Sequence, residues 1–70
     1  MLRQVVESQI IASVGYDTSA AMLEVQFRNG WIYEYENVPP HVHTELMRAA
    51  SHGQYLKRNI VDVYVTRRTL

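Results

Sequence analysis

Few side chains in this 70-residue chain could do chemistry, and they are scattered. Arg48, Lys57, Arg58, Arg67 and Arg68 all lie in the last third of the sequence, and such a set can neutralise phosphates. Trp31, Tyr33 and Tyr35 alternate. In a strand that spacing puts all three rings on one face, where unpaired bases can stack if the rings are exposed. His41 and His43 are two apart, which on a helix points them to different sides, and His52 lies in a separate turn. With no cysteine, no metal site is expected. Ser8, Asp17 and Ser51 form no nucleophile–base–orienter set, and no glycine run could cradle a phosphate. An enzyme is therefore not expected, nor a cofactor. What remains is a binding module.

Length and composition narrow the setting. One domain of this size buries only roughly 60% of the surface that its unfolded chain exposes. No disulfide can reinforce it, so packed side chains, with self-association as an aid, must hold it together. No apolar run is long enough to span a bilayer. "MLRQVVESQI" lacks the features of a signal peptide, so the expected compartment is the cytoplasm. Net charge is zero but unevenly placed. Arg3 and Arg28 face six acids among residues 1–45, a net −4, whereas the five late cations face only Asp62, a net +4. Either the basic half has a polyanion partner or the two halves attract each other.

The elements that must position these residues follow from periodicity. Ile10, Ala12, Val14 and Tyr16 alternate as a first strand, with Gly15 marking a bulge or a close approach. "DTSAA" is a turn. Leu23, Val25 and Phe27 alternate with Met22, Glu24 and Gln26 in a second strand, and Trp31 to Tyr35 supply a third. A two-residue loop at Asn29-Gly30 would set Glu34 and Glu36 beside Val25 and Leu23, with the aromatic rings on a polar, exposed face. A three-residue loop, Arg28-Asn29-Gly30, with Gly30 in the left-handed position, sets Phe27 against Trp31, Val25 against Tyr33 and Leu23 against Tyr35. Only the second register separates polarity, so it is favoured. It turns Tyr33 and Tyr35 inward and leaves Trp31 at the rim.

Two short helices come next. Pro40 suits a first helical turn, and Val42, Leu46, Ala49 and Ala50 share one face. Ser51 can cap a second helix, with Gln54 returning the bond. Tyr55, Leu56 and Ile60 form that helix's apolar face. Val61, Val63 and Val65 alternate as a further strand or an extended tail.

"ESQIIASVGYD", "LEVQFRNGWIYEYENVP" and "AASHGQYLKRNI", with Tyr64 beyond, together resemble the KTSC domain. That family is named for a domain at the C-terminus of some lysyl-tRNA synthetases and also occurs as small stand-alone bacterial proteins. The resemblance covers roughly residues 7–64. Its most diagnostic feature is Tyr33-Glu34-Tyr35 between Gly30 and Val38-Pro39, and the family's Ser-x-Gly matches Ser51 and Gly53. The family's function is not established; its association with a tRNA-charging enzyme implies RNA as a partner. This chain departs at His52, where members often carry a basic residue, at Lys57, where they often have Asn, and at Val61 and Val63, where they tend to be basic.

The expected fold is α+β. A three-stranded antiparallel sheet over residues 8–37, with the C-terminal segment available as a fourth strand, is covered on one face by helices near 40–50 and 52–60. Residues 1–70 form one domain, with 1–7 and 66–70 frayed. The expected core is Val14, Leu23, Val25, Phe27, Tyr33, Tyr35, Val42, Leu46, Ala49, Tyr55, Leu56 and Ile60. Two functions stand. One is RNA binding through Arg48, Lys57, Arg58, Arg67 and Arg68, with Trp31 stacking. The other is a protein-interaction module that self-associates through Val61, Val63 and Val65 or a strand edge.

Overall fold

The structure, a computed structural model, describes all of residues 1–70. Its elements are β1 (Arg3–Val5), β2 (Ile11–Asp17), β3 (Met22–Phe27), β4 (Ile32–Tyr35), α1 (Pro40–Arg48), α2 (His52–Asn59) and β5 (Thr66–Arg68). The strands form one antiparallel sheet in the order β1-β2-β3-β4-β5, and both helices lie in the connection between β4 and β5. The α+β class is as expected. The strand count is not: five strands replace the expected three or four.

Both extra strands come from segments expected to fray. β1 is held by backbone pairing of Arg3 with Gly15 and Val5 with Ser13. The Arg3 guanidinium also reaches Ser13 Oγ at 3.1 Å and pairs with Glu24. β5 pairs Tyr33 with Arg68 and Tyr35 with Thr66. The expected strand at 61–65 does not form. The chain turns there instead, with Asp62 at φ 65 and the Tyr64 N–H donating to the Ile60 carbonyl. Val61, Val63 and Val65 are exposed. A three-residue edge strand has no apolar period to announce it; backbone pairing specifies it, helped by Arg3 on β1 and by Arg67 and Arg68 on β5.

The central register is the one that segregates polarity. Leu23 faces Tyr35 and Val25 faces Tyr33. The Phe27 N–H donates to the Trp31 carbonyl at 2.8 Å, and the Gly30 N–H donates to the Phe27 carbonyl at 2.9 Å. Gly30 sits at φ +93, a region costly for any residue with a Cβ. In β2 the bulge falls at Ala12 instead of Gly15, because Ile11 pairs with Phe27 and Ser13 with Gln26. The extra residue resets the alternation, so Ile11 is fully buried and Ile10 lies open.

One face of the sheet carries the core. Ile11, Val14, Leu23, Val25 and Tyr35 cluster with Val42 and Leu46 of α1 and with Leu56 and Ile60 at α2 and its end. Val6 and Val38 join this cluster unforeseen, whereas Phe27, Tyr33 and Tyr55 are only partly buried against it. Ala49 caps α1 in an extended conformation and is likewise half-buried. Ser51 Oγ accepts from the Gln54 N–H at 3.2 Å, the half of the capping box that this structure forms. No helix is long and apolar enough to cross a membrane.

Candidate functional site

The other face of the sheet is polar and largely satisfied. Ser13 is buried there, and its hydroxyl donates to Gln26 Oε1 at 3.1 Å. Glu24 pairs with Arg3, and Glu34 with Arg67 at 2.8 Å. The second pair joins the acidic half of the sequence to the basic half, and Glu34 raises the basicity of the Arg67 guanidinium. Glu24 and Glu34 therefore lie on the back of the sheet.

On the helix-covered face the row runs from buried to open. Tyr35 is 2% exposed and Trp31 43%. Burial pushes the Tyr35 phenol up to about 12. Between them, the Tyr33 ring makes a T-shaped pair with Phe27, centroids 5.4 Å apart, and lies near-parallel to the Trp31 indole, with centroids 6.4 Å apart. At this open end a groove of about 410 Å³ is lined by Gln9, Ile10, Phe27, Arg28, Asn29, Trp31 and Tyr33. One cation lines it and no carboxylate does.

Its parts are held in place. Arg28 Nε and Nη2 donate to the carbonyls of Ser8 and Val6 at 3.0 and 3.1 Å. Asn29 Oδ1 accepts from the Trp31 N–H at 3.0 Å. Ile10 stands over the start of α2, where a Cβ on Gly53 would come 3.2 Å from Ile10 Cδ1. The Ser-x-Gly segment thus makes room for Ile10: Ser51 starts the helix and Gly53 gives the clearance.

The expected cations divide among three elements. Arg68 stacks its guanidinium 3.9 Å above the Trp31 ring, and its neighbour Arg67 goes to Glu34 on the back. Arg48 ends α1, while Lys57 and Arg58 occupy the last turn of α2, all three exposed. Of the five, only Arg68 is brought to the aromatic row. Arg28, Gln9 and Ile10 were not among the expected site residues. Their signal was weak: Arg28 is a turn residue by position, and Ile10 looks like core until the bulge turns it out. Among the histidines, His43 stacks on Tyr16 at 4.9 Å, and burial lowers its basicity. His52 Nδ1 lies 2.8 Å from the Leu46 carbonyl.

Comparison with known proteins places this geometry among relatives. The family model described as KTSC domain matches residues 7–64. An uncharacterized protein of Stutzerimonas stutzeri is 40% identical over 58 residues, covering 83% of this chain and 82% of that protein. A lysine–tRNA ligase of Nostoc punctiforme is 35% identical over 54 residues, which is 77% of this chain but 10% of the ligase. The crystal structure of a KTSC domain protein from Yersinia pestis superposes with a TM-score of 0.94 at 38% identity, covering 99% of this chain and 97% of the other.

Proposed function

The chain belongs to the KTSC domain family, and we propose that it is a small non-enzymatic module that binds single-stranded RNA at the open end of its aromatic row. The observation that carries this reading is the half-exposed Trp31 beside a groove with an arginine at its lip and no carboxylate in its lining. Stacking on such a ring contributes roughly 1–3 kcal/mol per base and tolerates any sequence. Lys57, Arg58 and Arg48 are available for phosphates, whereas Arg67 is engaged by Glu34 and Arg68 is stacked on Trp31. The similarity to a stretch of a lysine–tRNA ligase is consistent with an RNA partner. The test is anisotropy of a labelled single-stranded oligonucleotide at two salt concentrations. With two to four phosphate contacts, log K should fall against log salt with a slope of roughly −1.4 to −2.8. No binding at low salt would end the reading.

A second reading rests on Val63 and Val65, which are 61% and 66% exposed. Two β-branched side chains open to water beside an edge strand suit contact with another copy of the chain. Sedimentation at micromolar concentration decides it, and a strictly monomeric protein removes it.

A further inference from the structure

We propose that the groove between Ile10 and the Phe27–Tyr33–Trp31 wall is a slot for one unpaired nucleobase, and that Arg68 is the residue that positions the indole for it. This rests on the RNA reading and deepens it to a ligand class and a division of labour. Three aromatic rings form the wall, and Ile10 supplies an aliphatic side. At about 410 Å³ the space suits one ring system better than a run of nucleotides, since small-molecule pockets start near roughly 300 Å³. The lip carries the Arg28 guanidinium and the amides of Gln9 and Asn29, with no acid among the lining residues. A flat ring joined to an anion complements that set. An aromatic peptide side chain offers the ring without the charge.

Arg68 does not line the groove, although its Cζ is 3.9 Å over the Trp31 ring. The guanidinium therefore covers indole surface other than the part that faces the groove. The tail that carries it is tied down. Thr69 N–H donates to the Ile32 carbonyl at 2.8 Å, Ile32 N–H to the Leu70 carbonyl at 3.1 Å, and Arg68 Nε to the same Leu70 carbonyl at 3.2 Å. A half-exposed tryptophan otherwise loses side-chain freedom on taking a ligand. A cation stacked on it beforehand removes part of that loss. Arg68 thus acts on the ring, not on the ligand's phosphate.

The experiment titrates the full chain with adenosine 5′-monophosphate, adenosine, ribose 5-phosphate and phenylalanine amide, followed by NMR. Adenosine monophosphate and adenosine should both give saturable shifts at the Trp31 indole N–H, Ile10, Phe27 and Tyr33, and ribose 5-phosphate and phenylalanine amide should give none. Arg68→Ala should weaken adenosine and its monophosphate equally, by roughly two- to five-fold, the range an exposed cation–π stack supplies. Indole emission should shift to the red in the same variant. Arg68→Lys should recover less than half of the loss, because an ammonium lacks the plane. If Arg68→Ala spares adenosine and Arg68→Lys rescues the monophosphate, Arg68 is a phosphate contact and the positioning role is overturned. No saturable shift at Trp31 by millimolar nucleotide, or equal shifts with phenylalanine amide, overturns the slot. An oligonucleotide that binds while nucleotides leave Trp31 untouched keeps the RNA reading and sinks the slot. A slot that takes adenosine in a protein that ignores oligonucleotides does the reverse.

Discussion

Tyr35 and Trp31 belong to one alternating aromatic row at the β3–β4 hairpin, yet one is 2% exposed and the other 43%. Residue type and alternation do not separate them. What lies above them does. Tyr35 clusters with Leu46 and Leu56 from the helices, whereas the indole stays outside that cluster and meets Tyr33, the Arg68 guanidinium and the groove. One row thus serves as core at one end and as an open ring surface at the other, with Tyr33 between. The contrast allots stability to Tyr35 and, on the proposed RNA reading, recognition to Trp31.

Truncation at the two ends is the strongest way to break that allotment. Tyr35→Ala should cost about 3–5 kcal/mol, the range for removing a buried large aromatic side chain. A domain of this size has only about 4–10 kcal/mol to lose, so urea or thermal unfolding should show that roughly a third to all of the stability is gone. Trp31→Ala should shift the same curve by about 1 kcal/mol or less, the scale of a single exposed stack. Equal losses at both positions would mean that the open end is core after all.

Alkaline pH probes the buried end most strongly, although burial also raises the Tyr16 and Tyr55 phenols. The folded Tyr35 phenol is held at about 12, against 10.0 for an ordinary tyrosine. Between those values the unfolded chain loses the proton first, so the unfolded state binds fewer protons and stability falls as pH rises. The contribution is fully present below pH 10 and gone above pH 12. The loss should reach about 3 kcal/mol from this group. Tyr35→Phe keeps the ring and removes the titration, so its stability should be flatter over that window in urea midpoints measured against pH. A variant as steep as the parent would assign the dependence elsewhere.

Gly30 sets which rings share a face. Its φ of +93 makes Gly30→Ala costly by roughly 1–2 kcal/mol. Because the three-residue loop fixes the register, near-UV circular dichroism should stay native-like if the variant is merely strained. It should change sharply if β4 slips by one residue and exchanges its faces.

The difference between what was legible and what was not follows the same lines. The register could be found in the sequence because mispairing would bury Glu34 against Val25, a conflict visible in residue types alone. Trp31 could be singled out by its place beside the turn. The edge strands could not, because Arg3–Val5 and Thr66–Arg68 become strands only by pairing with β2 and β4. Nor could the groove, since the bulge at Ala12 decides whether Ile10 or Ile11 faces the core, and local sequence does not announce it. The basic residues misled for a related reason. Counting charges places Arg67 and Arg68 together, and the strand separates them.

That separation gives the subtlest test of the contrast. Arg67 and Arg68 are adjacent on β5, so their side chains leave on opposite faces: one to Glu34 behind, the other to the indole in front. The Arg67 side chain is 67% exposed, and its ion pair is open to screening within a Debye length of about 10 Å at 0.1 M salt. Arg67→Ala should move the thermal midpoint barely at all, somewhat more at low salt than at high, and should leave indole emission unchanged. Trp31 is the only tryptophan, so emission reports that end of the row without ambiguity. Arg68→Ala should behave inversely, with a clear emission shift and little salt dependence in stability. An emission shift from Arg67→Ala would show that β5 transmits disorder from one face to the other. The open end would then depend on the ion pair behind it as well as on the guanidinium above it, and Glu34→Gln should reproduce the shift.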